Sequence, residues 1–252
     1  MDSIIIVDDV TQSFGTHLVY RHVSFDVAKG EVFVILGGSG CGKSVLMRQI
    51  IGLLPPIEGK ITILGHDMYA EGQEILPQIG VMYQSGALFG AMSLLENVML
   101  PLQMLTDLPE PARREVARVK LGLVGLGSSL DLMPAEVSGG MAKRAAIARA
   151  MALDPPLLLL DEPSAGLDPV TSAGLDQLIL ELRDELGITC VVVTHELPSI
   201  LAIADRCIML DRGTRGVIAA GVPREIAKVS LEPAVRAFFR REMMPPIAQD
   251  AA

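Results

Sequence analysis

A glycine-rich octapeptide at 37–44 carries the clearest chemistry in this sequence. It reads Gly-Gly-Ser-Gly-Cys-Gly-Lys-Ser and fits the pattern G-x-x-x-x-G-K-[ST] in full. Glycines let a backbone wrap around a polyphosphate with several N–H groups turned inward, and a helix that starts there adds the positive end of its dipole. Lys43 would place its charge on the β- and γ-phosphates, and Ser44 would offer a hydroxyl to Mg²⁺. The positions assigned to this binding loop are Gly37, Gly38, Ser39, Gly40, Cys41, Gly42, Lys43, Ser44 and Val45.

Two other interpretations of this loop are open. A glycine-rich turn could match the pattern by chance, but a predicted strand at 32–36 precedes the loop and a predicted helix at 44–54 follows it, as a phosphate loop requires. Cys41 lies just before that helix, where the pKa of a thiol can be lowered. A redox role for Cys41 therefore stays open, beside the simpler interpretation that its thiol does no chemistry.

Two adjacent carboxylates, Asp161 and Glu162, follow the apolar run Leu157–Leu160. Four leucines predict a strand buried in the middle of a sheet, and ligands of open α/β sheets bind at the carboxyl ends of such strands. Neighbouring residues at a strand end can face different directions, so the two acids can have different roles. We expect Asp161 to orient Mg²⁺ and Glu162 to polarise an attacking water. Without the phosphate loop, the pair would also fit a solvated strand end.

A third motif, Val-Ser-Gly-Gly-Met at 137–141, begins an alanine-rich run at 140–153 that predicts a helix. Ser138 is suited to cap that helix, and the glycines Gly139 and Gly140 expose backbone N–H groups to an anion. The order of phosphate loop, this segment and acidic pair resembles the ABC-type ATPases, the nucleotide-binding subunits of ABC transporters, with Met141 in place of the usual Gln. The resemblance extends from residue 4 to about residue 226, and it implies ATP and Mg²⁺ as cofactors.

The same resemblance implies roles for single residues. In this family the signature Ser138–Gly140 faces the γ-phosphate held by a second subunit, which implies a head-to-tail dimer of two copies. Gln84 matches the Q-loop glutamine and His195 the switch histidine, and the segment 164–168, which ends at Asp168, matches the D-loop at the dimer seam. The residues that the resemblance assigns to catalysis are Glu162, His195 and Gln84. Those assigned to the metal are Ser44, Gln84 and Asp161, and those assigned to the nucleotide beyond the phosphate loop are Phe14, Ser138, Gly139, Gly140 and Asp168.

The residue that stacks on adenine has two candidates. Phe14 lies 23 positions before Gly37, which suits the aromatic residue of this family, and Tyr20 is its rival. Phe14 could also be an ordinary core residue. The spacing alone does not decide between these options.

The remaining pattern predicts an α/β fold of the P-loop NTPase type, as the resemblance also implies. Short β-branched runs at 4–7, 23–27, 32–36, 61–64 and 81–83 predict strands, and helical spacing dominates from about 86 to 153. Strand and helix signals then alternate again, which indicates a mostly parallel, RecA-like sheet. We therefore expect an ABC ATPase domain at 1–228, with an antiparallel N-terminal β region and a helical subdomain inserted at about 86–153, and a C-terminal extension at 229–252.

Composition narrows the class of protein further. The chain has 252 residues, half of them hydrophobic, a mean hydropathy of +0.43 and a net charge of −9. These values exclude a disordered chain, and the negative charge argues against a nucleic-acid partner. Three scattered cysteines fit neither a disulfide framework nor a zinc site, and no signal peptide or membrane-spanning run is expected. The resemblance places such a subunit in the cytoplasm, on the cytoplasmic face of an inner membrane.

Two segments indicate the type of ABC transporter. Met-Tyr-Gln-Ser-Gly-Ala-Leu-Phe at 82–89 and Ser-Gly-Gly-Met-Ala-Lys-Arg at 138–144 resemble the ATPases of MCE-type lipid transporters, such as the maintenance-of-lipid-asymmetry (Mla) system. This resemblance implies phospholipid transport, with a membrane permease and an MCE-domain protein as partners. The ATPase of another importer, for a small solute, is the alternative. DNA-repair ATPases carry long coiled-coil insertions and translation factors carry two cassettes, and neither is found here.

Two surfaces are expected to serve partners. The stretch 86–104, rich in Leu and Met, is predicted to hold the permease groove, although any one of these side chains is suited to the local core. In the tail, Val235, Phe238 and Phe239 share one face of a predicted helix, and the residues after 242 could lie extended across the other subunit. A helix that only closes over its own domain is the alternative for this tail.

Overall fold

The structure is a computed structural model, and it describes residues 2–242. The tail segment 243–252, for which a contact with the other subunit is predicted above, lies outside the described residues.

Within residues 2–242, ten strands and nine α-helices form. The strands are β1 Ser3–Phe14, β2 His17–Ala28, β3 Val32–Gly37, β4 Glu58–Ile63, β5 His66–Asp67, β6 Ile79–Met82, β7 Leu157–Asp161, β8 Thr189–Val193, β9 Arg206–Asp211 and β10 Gly216–Gly221. The helices are α1 Lys43–Ile50, α2 Gly72–Ile75, α3 Leu94–Leu105, α4 Glu110–Leu123, α5 Gly139–Ala150, α6 Pro169–Leu186, α7 Leu197–Ile203, α8 Pro223–Val229 and α9 Pro233–Arg240.

A six-stranded sheet in the order β10-β9-β3-β8-β7-β6 forms the centre of the molecule. The pairs that β3, β6, β7, β8 and β9 make among themselves are parallel, and only the edge strand β10 is antiparallel. Strands β3 and β8 are buried along their whole length, which explains their unbroken apolar sequences. The parallel arrangement brings the carboxyl ends of β3, β7 and β8, and the loops that follow them, to one edge. The predicted α/β class with a mostly parallel sheet is thereby confirmed.

The N-terminal strands form a separate antiparallel sheet in the order β2-β1-β4-β5. The predicted antiparallel β region therefore exists, but β1 and β2 are each 12 residues long, much longer than the short runs predicted at 4–7 and 23–27. Register shifts interrupt their pairing, and Asp9 and His22 adopt positive φ. Such irregularities break the two-residue alternation by which a strand is recognised, so the pattern shows only fragments of these strands.

Helices α3, α4 and α5 lie between β6 and β7 in the chain and pack on one another. Their shared core includes Leu94, Val98 and Leu121, all fully buried. None of the helices formed by residues 2–242 is both long enough and apolar enough to cross a membrane.

Two helix ends differ from expectation. Helix α1 ends at Ile50 and not at Leu54, because Gly52 adopts a φ of 76° and turns the chain, which leaves Leu53 exposed and not on the buried face. Helix α5 ends at Ala150 and not at Leu153. The tail helix α9 does form: Val235 is buried, and Phe238 and Phe239 pack against the main core.

Candidate active site

The phosphate loop connects β3 to α1 and is shaped by close contacts as well as by its glycines. Gly37, Gly40 and Gly42 have φ values of 150°, 75° and 102°, all in the range that other residues rarely adopt. A Cβ on Gly42 would lie 2.7 Å from Cδ1 of Tyr20, so only glycine fits there. Nζ of Lys43 donates to the carbonyl oxygens of Gly37 at 2.7 Å and Gly38 at 3.0 Å. The lysine thus lies over the loop whose N–H groups it would assist in binding phosphate.

The acidic pair lies at the carboxyl end of β7, as its sequence suggests. Asp161 is the last residue of β7 and is paired with Val193 of the neighbouring strand β8. Burial and the adjacent charge of Glu162 raise the pKa of Asp161, while the positive charge of Lys43 acts in the opposite direction. Arg48 and Lys143 act in the same direction as Lys43, and a bound cation would stabilise the ionised carboxylate further.

Glu162 adopts a φ of 46°, a left-handed conformation that is unusual for this residue type. Its N–H donates to the carbonyl of Val193 at 2.8 Å, and its side chain is buried. Oε1 of Glu162 lies 2.8 Å from Nδ1 of His195, while Oε2 is buried and has no hydrogen-bond partner among the described residues. A buried carboxylate oxygen without a partner is costly, and a water that donates to it would satisfy it. The arrangement suits a base that accepts a proton from water.

Lys143 is a site residue that the motifs do not reveal. It lies on α5 with its side chain buried, and its ammonium donates to the carbonyl oxygens of Gln84 and, at 3.2 Å, of Glu162. Burial lowers the pKa of Lys143, and the charges of Asp161 and Glu162 oppose this effect. The one sequence signal for this role is that a lysine lies on the buried side of an alanine-rich helix. A buried charge needs a partner, so such a lysine indicates a polar contact.

Arg149, on the same helix, donates to the carbonyl oxygens of Gly86 at 2.8 Å and Ala87 at 2.7 Å. Lys143 and Arg149 therefore bind three carbonyl groups of the segment 84–87. The contact of Gln84 with the site is made by its backbone carbonyl, which accepts from Lys143. Residue Gln84 itself is exposed.

The signature segment begins α5, as predicted. Oγ of Ser138 accepts a hydrogen bond from the N–H of Met141 at 3.2 Å and caps the helix. A Cβ on Gly140 would lie 2.4 Å from Cγ2 of Thr171 on α6, so this glycine permits close helix packing. Ser138 and Gly139 are exposed. Within residues 2–242, no hydrogen bond joins the segment 138–140 to the phosphate loop of the same chain.

Asp168 has a local role in the subunit. Its carboxylate accepts hydrogen bonds from the N–H groups of Val170 at 3.0 Å and Thr171 at 3.1 Å, and it caps α6. The hydroxyl of Thr171 and these N–H groups lower the pKa of Asp168. Within one subunit, the carboxylate of Asp168 therefore fixes the end of the D-loop at the start of α6. A contact between Asp168 and a nucleotide would use the same carboxylate oxygens.

The structure separates the two aromatic candidates. Tyr20 is fully buried, and its hydroxyl donates to Oε1 of Gln49 at 2.6 Å. Phe14 is the last residue of β1, at the tip of the β1–β2 hairpin, and half of its surface is exposed. Tyr20 is therefore unavailable for stacking on a base, and Phe14 is the candidate that remains.

Cys41 is buried, and burial raises the pKa of its thiol against the opposing charge of Lys43. A thiol kept protonated is a poor nucleophile and is slow to oxidise. Burial and the raised pKa argue against the redox interpretation of Cys41 and favour the simpler one.

Comparison with known proteins gives consistent similarities. The family model described as ABC transporter matches residues 20–165. The chain is 42% identical over 96% of its length to the probable ribonucleotide transport ATP-binding protein mkl of Mycobacterium leprae, covering 70% of that protein. It is 40% identical over 92% of its length to the intermembrane phospholipid transport system ATP-binding protein MlaF of Escherichia coli, covering 86% of that protein.

Solved structures show the same similarity. The cbiO1 subunit of a Clostridium perfringens ABC transporter complex superposes with a TM-score of 0.82 at 30% identity, over 90% of this chain and 91% of that one. The ATP-binding cassette MJ0796, solved as a dimer in a post-hydrolysis state bound to ADP and phosphate, superposes with a TM-score of 0.77 at 31% identity. This match covers 86% of this chain and 98% of that one.

Proposed function

The chain belongs to the ABC transporter family, as one of its ATP-hydrolysing subunits, and from this membership we propose that it drives phospholipid transport through a membrane permease. The observation that carries the ATPase part is the carboxylate of Glu162: its Oε1 lies 2.8 Å from Nδ1 of His195, and its buried Oε2 has no hydrogen-bond partner within residues 2–242. The phospholipid part is supported by the similarity to MlaF, an ATP-binding protein of an intermembrane phospholipid transport system.

We assign the nucleotide to the phosphate loop, with Lys43 on its β- and γ-phosphates and Phe14 on its adenine. The hydroxyl of Ser44 and the carboxylate of Asp161 are oxygen donors of the kind that Mg²⁺ prefers, and Gln84 completes the proposed set. The ion would neutralise phosphate charge as the bond to the γ-phosphate breaks. Asp161 is close enough to Lys43 for that charge to lower its pKa, which supports placing both residues at one nucleotide site.

In the proposed reaction, Oε2 of Glu162 accepts a proton from the water that attacks the γ-phosphate. His195 contacts Oε1 and so orients the carboxylate, and its exposed ring is free to reach the γ-phosphate. The N–H of Glu162, bonded to Val193, and its carbonyl, bonded to Lys143, fix the backbone of the base. These contacts preorganise the base and reduce the reorganisation that the reaction needs.

Two copies are needed for complete sites in this proposal. The exposed Ser138 and Gly139 would face the γ-phosphate bound by the partner copy, with Asp168 close to the seam. The dimeric form of a structural neighbour supports a pair of copies, which we place head to tail. Each of the two sites would then combine the phosphate loop of one copy with the signature of the other.

The permease is proposed to dock on the loop 86–93 and the exposed end of α3. Phe89 and Met104 are 52% and 72% exposed. Five apolar residues of the stretch 86–104 lie in the core instead, namely Leu94, Leu95, Val98, Met99 and Leu102. The buried side chain of Asn97 fixes the loop: its Oδ1 accepts from the N–H of Phe89 at 2.8 Å and its Nδ2 donates to the Phe89 carbonyl at 3.1 Å. An exposed aromatic side chain on a backbone that is held in this way suits the centre of an interface.

Docking there would hold the subunit on the cytoplasmic face of the inner membrane, and an MCE-domain protein would complete the complex. The alternative is import of a small solute, and the name of the relative mkl, a probable ribonucleotide transporter, favours a nucleotide as that solute.

Co-purification and transport separate these possibilities. The chain would be isolated from its native membrane with its permease, and the complex placed in vesicles that contain fluorescent phospholipid. ATP-dependent transfer of the lipid to acceptor vesicles, together with an MCE-domain protein in the complex, is the expected result. ATP-dependent uptake of labelled ribonucleotide without lipid transfer would instead establish the alternative.

A further inference from the structure

Three buried polar side chains form a continuous chain of hydrogen bonds beneath the site. The hydroxyl of Tyr20 donates to Oε1 of Gln49 at 2.6 Å, and Nε2 of Gln49 donates to Oε1 of Gln12 at 2.8 Å. Nε2 of Gln12 then donates to the carbonyl oxygen of Ser13 at 3.0 Å. Tyr20 and Gln49 have no exposed surface, and Gln12 is 3% exposed. We call these three residues the Tyr20–Gln49–Gln12 network.

The network connects the two ends of the proposed nucleotide site. Gln49 lies on α1, the helix that begins at Lys43, and the Tyr20 ring packs against Gly42 of the phosphate loop. At the other end, Ser13 precedes Phe14. Gln12 and Tyr20 are direct partners in the pairing of β1 with β2, just below the hairpin tip that carries Phe14. A displacement of the hairpin relative to α1 would therefore break at least one of these bonds.

The presence of three polar side chains in the protein interior calls for a physical explanation. Two buried amides and a buried hydroxyl are costly to desolvate unless they are satisfied, and apolar residues would fill the same space at less risk. Burial raises the pKa of Tyr20, so its hydroxyl stays protonated and keeps donating. Hydrogen bonds are directional, whereas apolar packing tolerates sliding. The network therefore fixes the position of the hairpin more narrowly than an apolar core would.

We propose that Tyr20, Gln49 and Gln12 are positioning residues that hold Phe14 at the correct distance from the phosphate loop for stacking on a purine base. The inference rests on the proposed function, because it takes Phe14 as the residue that contacts the base. It predicts that the network contributes to the affinity for the base and not to the affinity for the phosphates.

ADP and pyrophosphate separate these two parts of the affinity, since both bind without turnover and only ADP has a base. Dissociation constants for both ligands would be measured by calorimetry on the full chain. Phe14→Ala should weaken ADP binding roughly five- to a hundredfold and leave pyrophosphate unchanged, because one base–aromatic stack is lost. Tyr20→Phe and Gln12→Met should weaken ADP roughly two- to tenfold, also without an effect on pyrophosphate. Tyr20→Phe keeps the ring against Gly42, so the phosphate loop retains its shape.

Loss of stability needs a matched control. The hydroxyl of Thr189 is likewise buried, and it accepts from the N–H of Gly30 at 2.9 Å, away from the hairpin tip. Thr189→Val should lower the melting temperature as Tyr20→Phe does, with both dissociation constants unchanged. Selective weakening of ADP in Thr189→Val as well would make the effect one of general stability and overturn the inference.

The remaining outcomes are distinct. If Phe14→Ala weakens ADP selectively and both network variants leave ADP unchanged, the inference is wrong and the site assignment stands. If Tyr20→Phe weakens ADP and pyrophosphate equally, the network supports the phosphate loop instead, and the inference is also wrong. If Phe14→Ala has no effect on ADP, the assignment of the base contact fails and the inference fails with it.

Discussion

Nδ1 of His195 lies 2.8 Å from Oε1 of Glu162, although the two residues are 33 positions apart in the chain. They meet because β7 and β8 are parallel neighbours, so the residues just beyond their carboxyl ends lie side by side. The contact occupies one oxygen of the carboxylate and leaves Oε2 for water. A base with one oxygen held and one oxygen available is oriented before the substrate reacts.

Replacing Glu162 by Gln should therefore slow hydrolysis and leave binding intact. The amide keeps the size of the side chain but cannot accept the proton, so kcat should fall roughly 10²–10⁴-fold. Phosphate release at saturating MgATP measures the rate, and size-exclusion chromatography should show an ATP-bound dimer that accumulates. Glu196→Gln, one residue beyond His195, is the matched control and should retain its rate. An unchanged kcat in Glu162→Gln contradicts the assigned role.

Lys143→Met should lower kcat about tenfold while the dissociation constant for ADP stays the same. The methionine keeps the length of the side chain but cannot bond the carbonyls of Gln84 and Glu162, so the base loses part of its support. Unfolding by urea should show a loss of about 1–3 kcal/mol.

Lys120 provides the control, since it is also a buried lysine and pairs with Asp154 on the helical side of the molecule. Lys120→Met should lose stability without a change in kcat. Lys143→Arg should recover much of the rate, because its guanidinium can also donate to two carbonyls. Equal losses of kcat in Lys143→Met and Lys120→Met would show that Lys143 acts through stability alone.

Mixed dimers test the head-to-tail pairing. Lys43→Ala removes the charge of the phosphate loop, and Ser138→Arg blocks the signature, so each homodimer should lose most of its activity. A dimer of one Lys43→Ala copy with one Ser138→Arg copy keeps one site made of an intact loop and an intact signature. Its ATPase rate, measured after purification on two affinity tags, should clearly exceed that of either homodimer.

The control contains the same two substitutions, but both are placed in one copy of the dimer. A dimer of a wild-type copy with a copy that carries both changes has one defect in each site and should be as inactive as the homodimers. If instead the dimer of a wild-type and a doubly changed copy is active and the other mixed dimer is not, each copy works with its own signature and the pairing is wrong.

The three cysteines should be unreactive in the folded protein. Burial raises the pKa of Cys190 and Cys207 from 9.0 to about 12, and it also raises that of Cys41. A thiol reagent at pH 8 should modify none of them until the chain unfolds, and then all three. Val170→Cys, at a highly exposed position, is the positive control and should react at once. Reaction of Cys41 in the native protein would restore the redox interpretation.

The same thiols predict how stability depends on pH. Their folded pKa lies above the unfolded value, so the protons are held more tightly in the folded state. The contribution to the free energy of unfolding is therefore complete below about pH 9 and is lost as pH rises toward about 12. Urea unfolding at a series of alkaline pH values measures this fall, and Cys190→Ala with Cys207→Ala should reduce its slope.

Phe89→Asp should weaken the association with the permease roughly tenfold or more, since it places a charge at the proposed centre of the interface. Basal ATPase activity of the isolated subunit should not change, because Phe89 lies outside the nucleotide site. Leu186→Asp is the control, since it also replaces an exposed apolar side chain by a charged one, at the end of α6. Normal stimulation of the Phe89→Asp variant by the permease would remove this loop from the docking surface.

Local patterns were sufficient for the motifs and for most elements. The phosphate loop, the acidic pair and the signature were recognised because each is a short run whose backbone chemistry is local. The strand Leu157–Asp161 and the helix Leu94–Leu105 are equally clear from their apolar runs and periodicity. The long strands β1 and β2 were seen only in part, because bulges interrupt their alternation.

The tertiary structure alone decided which side chains meet. Lys143 is 59 positions from Gln84 and 19 from Glu162, and it reaches both only because α5 packs beside β6 and the end of β7. Spacing favours Phe14 and leaves Tyr20 as its rival, and burial separates the two. A periodic pattern identifies which face of an element is buried but not what lies opposite. The hydrogen-bond partners of Tyr20 and Lys143 come from distant segments, so they exist only once the elements have packed.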